Sequence, residues 1–141
     1  MNALSVSVVD LDAETGERFL PLRRLLGVST FGMNLITLQP GQRGRIHAHE
    51  HQEEVYVVLE GRLTLLIEGE ERAVGSGQAA RVPAPVRRQL VNHGPARLVL
   101  LALGGANEHR GRDGRAWTSW EEPGGGRPPQ EVPLPDDLPP A

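Results

Sequence analysis

The chain has 141 residues, a formal charge of −3 and a pI near 5.9, enough for one buried core and without the basic footprint that nucleic acid or an anionic membrane surface selects. It contains no cysteine, which excludes disulfides, thiolate metal sites and cysteine nucleophiles. The first residues hold no basic segment followed by an apolar run, and no stretch approaches the length of a membrane span, so a cytoplasmic location is expected.

Two apolar runs come first, Val6–Leu11 and Phe19–Leu26, with the turn-rich segment 12–16 between them. Each is expected as a strand or an arm, and Pro21 assigns the second to a sheet edge if it is a strand. Phe31–Leu38 alternates imperfectly and stops at the turn signal Pro40-Gly41. Val55–Leu59 and Arg62–Ile67 follow around a tight Glu60-Gly61 hairpin, then a short strand about Arg72–Val74, then Ala79–Val82, Val86–Asn92 and Arg97–Leu103. Strands at short regular intervals without a convincing helical period predict an all-β sandwich or barrel. After Leu103 the composition shifts to GGANEHRGRDGR and, past Trp120, to a tail with seven of the twelve prolines. No regular secondary structure is expected from Pro123 onward, and Trp117 and Trp120 read as anchors of the tail ahead of interface residues. The expected layout is strands or an arm over 1–29, a β-barrel over 30–104 and an irregular Gly/Pro-rich extension over 105–141.

The stretch Pro40–Gly61, PGQRGRIHAHEHQEEVYVVLEG, concentrates the chemistry: three of the five histidines fall within five residues. In a strand, His47 and His49 share a face and can grip one ion or substrate together, and Glu54, after a short irregular step, opens the next apolar run. The spacing Gly41-x5-His47-x-His49-x4-Glu54-x6-Gly61 resembles the first signature motif of the cupin superfamily. Gly77, Pro83 and Asn92 fit the second motif, whereas Pro85 stands where a glycine, and Arg88 where the third histidine ligand, would be expected. The resemblance implies a single-domain double-stranded β-helix, a jelly-roll-like fold that often pairs through its sheets, so a homodimer is expected. It also implies His47, His49 and Glu54 as metal ligands.

Two imidazoles and a carboxylate take three corners on one side of a divalent ion and leave the rest open to water, oxygen or a chelating substrate. That arrangement suits Fe and accommodates Mn, Ni or Zn; no organic cofactor is expected. Arg88 cannot donate a lone pair to a metal, and two readings follow. In one, His47, His49 and Glu54 hold the ion, Arg88 clamps a substrate carboxylate through its planar fork, and the protein is an oxygenase or isomerase acting on a small anionic molecule. In the other, Glu54 pairs with Arg88, and the pocket is a metal-free, non-catalytic binder of a carboxylate or sugar ligand. Tyr56, on the parity of Glu54, either donates its hydroxyl to the ligand or is a core aromatic with its hydroxyl satisfied. Glu53 is the fallback ligand, Glu50 and His51 read as rim residues, His93 as structural and His109 as exposed. Arg87 and Gln89 read as outer-face residues.

Overall fold

The computed structural model describes residues 5–11, 17–105 and 113–139. In chain order the elements are β1 (Phe19–Leu20), α1 (Leu22–Leu26), β2 (Gly32–Leu38), β3 (Ile46–His49), β4 (Glu53–Glu60), β5 (Arg62–Ile67), β6 (Glu70–Gly75), β7 (Ala79–Val82), β8 (Arg88–Val91), β9 (Leu98–Gly105) and β10 (Gly114–Trp117). They build two five-stranded sheets, ordered β1-β2-β9-β4-β7 and β10-β3-β8-β5-β6, with antiparallel pairing between neighbours. This is the all-β double-stranded β-helix expected from the sequence.

Alternation along the strands sets the core between the sheets. Leu38, Tyr56, Val58, Leu63, Leu65, Leu90, Leu98 and Leu100 point inward and are buried, and each aliphatic side chain so removed from water contributes about 1.5–3 kcal/mol. Gly61 turns the β4–β5 hairpin at φ +83°, and a Cβ there would overlap the Arg97 carbonyl; only glycine meets both demands. β8 is buried at all four residues, because it lies mid-sheet and the carboxy-terminal segment helps to cover its outer face.

One of the two amino-terminal runs differs from its expected form. The run Phe19–Leu26 is a two-residue edge strand followed by a short helix that starts after Pro21 and ends at Gly27, φ +80°. Five helical residues are too few to display a 3.6-residue period, and what holds them is Leu22, fully buried against Leu35 and Val99 on the outer face of the first sheet. Val6–Leu11 forms neither helix nor strand, and Val6 and Val8 are exposed.

The carboxy-terminal segment, read as irregular, supplies edge strand β10 against β3 and a 3-10 turn at Pro129–Glu131. Proline lacks an N–H, so much of this segment is held through its carbonyls. Arg45 Nε donates to Val132 O at 2.6 Å and Arg43 Nε to Asp136 O at 2.9 Å, while Leu138 N donates to Gly41 O at 2.7 Å. Trp117 Nε1 donates to Gly124 O at 3.0 Å, and the Arg87 guanidinium carbon lies 5.5 Å from the ring centroids of both Trp117 and Trp120. The tryptophans thus anchor the tail, and Gln89, read as an outer-face residue, is buried and donates to Gly44 O at 2.9 Å. Among the described residues no helix is long and apolar enough to cross a membrane.

Candidate functional site

His47 and His49 lie on β3 and Glu54 on β4, in opposite sheets, and their side chains meet between the sheets. Their ligand-type atoms all fall within 4.8 Å of one another. His47 Nε2 is 3.3 Å from Glu54 Oε1 and His49 Nε2 is 3.4 Å from Glu54 Oε2. The far nitrogen of each ring is already committed. His47 Nδ1 lies 3.1 Å from the Arg45 carbonyl, and His49 Nδ1 lies 2.8 Å from Asp113 Oδ1. A carbonyl and a carboxylate only accept, so both rings carry hydrogen on Nδ1; a neutral ring then turns its Nε2 lone pair toward Glu54, whereas a protonated ring turns an N–H toward it. His49 Nε2 is buried and has no hydrogen-bond partner, its approach to Glu54 being too poorly aligned for one.

Burial of Glu54 acts to raise its pKa, but protonated His47 and His49, whose Nε2 atoms then face the carboxylate as charged donors, outweigh it and hold the carboxyl well below its ordinary 4.5. Burial acts to lower the pKa of His49; Glu54 and Asp113 together overcome it, and the net shift is upward from 6.5. Tyr56 is fully buried and donates its hydroxyl to Glu54 Oε1. Burial first, then the charge of Glu54, push its phenol well above 10, so it remains a proton donor.

Asp113 escaped the sequence reading. It follows the segment 106–112, 64 residues from His49 in sequence, and nothing in its local pattern marks it. Its Oδ2 accepts the backbone N–H groups of His51 and Gln52 at 3.0 and 2.9 Å, and its Oδ1 accepts Gln52 Nε2 at 2.9 Å. Burial opposes its ionisation, yet these donors and His49 hold its pKa below 3.8. One carboxylate therefore fixes both the ring of His49 and the bend that leads into β4.

Arg88 is placed directly across from His47 in the β3–β8 register and is fully buried. Its Nη2 donates to the carbonyls of Pro83 and Val82 at 3.0 and 3.3 Å, and its Nη1 reaches Ala84 O at 3.5 Å. The Glu54–Arg88 pair expected for a metal-free pocket does not form: Glu54 is engaged by His47, His49 and Tyr56, and the Arg88 fork braces the β7–β8 loop. Glu53, the fallback ligand, is exposed and pairs with Arg81. Glu50 pairs with Arg115 at 2.7 Å, and His51 is exposed, 3.9 Å from Glu50. His93 lies 3.9 Å from Glu71. His109 lies outside the described residues.

Two cavities flank the cluster. One of about 280 Å³ is lined by Arg23, Asn34, His49, Gln52, Glu54 and Asp113, together with Gly32, Met33, Gly104 and Gly114. The other, about 420 Å³, is mostly apolar, with Phe19, Ile36, Leu38, Leu90 and the tail residue Leu134 in its walls and His47 among its lining. A larger space of about 500 Å³ opens between edge strands β6 and β7, away from the histidines.

Residues 34–104 match the sequence profile of the family described as Cupin domain. A polyketide synthase from Streptomyces cyaneus, CurC, is 35% identical over 78 residues, which cover 52% of this chain and 51% of that protein. Among solved structures, a cupin-superfamily sugar phosphate isomerase from Silicibacter pomeroyi is similar at TM-score 0.58 and 36% identity, over 62% of this chain and 57% of that one. A cupin protein from Bacteroides fragilis shares the fold at TM-score 0.64 and 20% identity, over 75% and 86% of the two chains. The match thus spans about half the length of that polyketide synthase.

Proposed function

This chain belongs to the cupin family, and from that premise we propose a divalent-metal-dependent enzyme, of isomerase type ahead of oxygenase, acting on a small anionic molecule. His47, His49 and Glu54 are its metal ligands. The observation that carries this reading is the convergence of two Nε2 atoms on one ionised carboxylate at 3.3 and 3.4 Å. With Nδ1 protonated on both rings, neutral histidines would set lone pairs against carboxylate oxygens, an arrangement that needs a cation between them. The donor set of two imidazoles and one carboxylate suits Fe, Mn, Ni or Zn, and the Asp113 contact supplies the outer-shell carboxylate that orients a ligating histidine.

When bound, such an ion acts as a Lewis acid on a substrate oxygen. The chain's own residues do the rest. Asp113 and the Arg45 carbonyl hold the two rings, Tyr56 keeps a proton on its hydroxyl and orients Glu54, and Arg88, paired across from His47, braces the β7–β8 loop. The isomerase preference draws on the 36% identity to the Silicibacter pomeroyi protein.

A second reading is a metal-free binding pocket. Its support is the upward shift of His49 between two carboxylates, where a proton takes the place of the ion. Elemental mass spectrometry on untagged protein separates the two. Near-stoichiometric metal that disappears in His47→Ala is expected; absence of metal in the parent, even after dialysis against Zn, Mn, Ni and Fe salts, selects the metal-free pocket. We also propose a homodimer, because edge strand β1 carries exposed Phe19 and α1 carries exposed Leu25. Light scattering should return about twice 15.3 kDa, and a monomer mass would refute the pairing.

A further inference from the structure

The cavity beside the cluster holds a cation that the cluster does not use. Arg23 lines it together with Asn34, His49, Gln52 and Glu54. Its Nε is buried with no hydrogen-bond partner, and among the described residues no hydrogen bond or ion pair engages its side chain. Arg23 itself is half-buried, and a buried Nε–H left unpaired is costly to a fold. The position is not accidental to the backbone. Leu22 clamps α1 to the outer face of the first sheet through Leu35 and Val99. At the adjoining rim, Gly32 pairs with Gly104 and both line the cavity, so no side chain there walls Arg23 off from His49 and Glu54. Asn34, whose amide also makes no hydrogen bond among the described residues, adds a neutral donor on the same wall.

We propose that Arg23 binds the oxyanion of the substrate, carboxylate or phosphate, and so fixes one end of a molecule whose reacting part lies at His47, His49 and Glu54. The planar fork donates bidentately to either oxyanion. Glu54 and Asp113 make the cavity negative on one side, and an anion enters only because a positive group faces them. Arg23 is thereby the residue that selects anionic over neutral substrates. The proposal rests on the reading of this cavity as the substrate site.

The test is an NMR titration of the full-length, 15N-labelled protein, without added metal, observing the Arg23 Nε–H signal. The probes are inorganic phosphate, malonate and, as an uncharged control, glycerol. A saturable shift with at least one anion and none with glycerol is expected. Arg23→Gln should weaken that binding about tenfold or more, and Arg23→Lys should restore part of it. Phosphate alone, or malonate alone, tells which oxyanion the site takes. Because the guanidinium engages no partner among the described residues, Arg23→Gln should also unfold at the parent's temperature. Unaltered anion affinity in Arg23→Gln, no saturation by either anion, or a marked loss of stability overturns the proposal, the last by assigning Arg23 a structural role. Zinc uptake, measured separately, should be as tight in Arg23→Gln as in the parent. Failure of the parent to take up zinc would count against the metal reading and leave the anion result standing.

Discussion

His49 Nδ1 and Asp113 Oδ1, 64 residues apart in sequence, meet at 2.8 Å. The contact holds the imidazole in one tautomer with Nε2 directed at Glu54. Outer-shell partners of this kind commonly account for 10–100-fold in metal affinity, so Asp113→Ala should weaken metal binding by about that factor in a chelator competition. The same change strips an acceptor from two backbone N–H groups and from Gln52 Nε2, and urea unfolding should show a loss of roughly 2 kcal/mol. An unchanged affinity would remove Asp113 from the site.

The cluster gives the metal-free protein a defined pH dependence. Glu54 has a folded pKa well below 4.5, so its contribution is present above 4.5 and lost as pH falls through the folded value. His49 has a folded pKa above 6.5, so its contribution is complete below 6.5 and lost as pH rises through the folded value. Chelator-treated protein should therefore gain most from this cluster between about 4.5 and 6.5, and the decline above 6.5 should be absent in His49→Gln. Metal displaces the His49 proton, so metal affinity should rise with pH through a midpoint above 6.5. Thermal melts and metal titrations over pH 4–9 check both slopes.

Arg88 is fully buried with its fork on the carbonyls of Val82, Pro83 and Ala84. Arg88→Met keeps much of the volume but leaves these acceptors unpaired, and a loss of about 2–3 kcal/mol is expected in urea unfolding. A variant as stable as the parent, but impaired in binding anions, would return Arg88 to the role of substrate clamp.

Arg87 ties the tail to the second sheet. Its Nε donates to Glu68 Oε2 at 3.0 Å while its guanidinium contacts both Trp117 and Trp120. Each such cation–π contact contributes about 0.5–1 kcal/mol where exposed. Arg87→Ala should speed hydrogen exchange at Ala116 and Arg127, whose N–H groups bond reciprocally across the tail, with little change in the strands of the first sheet. Uniform acceleration across the whole protein would show that the tail is not a separable unit.

Much of this protein is written locally. The strand positions, the Gly61 turn and the shared face of His47 and His49 follow from a two-residue period and from the φ values only glycine adopts freely. The spacing that brings Glu54 back toward the histidines is likewise continuous in the chain. What the sequence alone could not assign depends on long-range placement. α1 exists because Leu22 finds a slot over Leu35 and Val99, and a helix of five residues carries no periodic signal of its own. Asp113 becomes part of the site only when β10 pairs with β3, Gly114 opposite His49, and Arg88 is drawn from Glu54 to three loop carbonyls by contacts no spacing encodes. The sequence by itself determined the all-β fold and the residues His47, His49 and Glu54, because period and turn chemistry act between neighbours. Only the tertiary structure decided which carboxylate orients His49, and that Arg23 rather than Arg88 lines the cavity, because those outcomes depend on which buried donors and acceptors find partners across the two sheets.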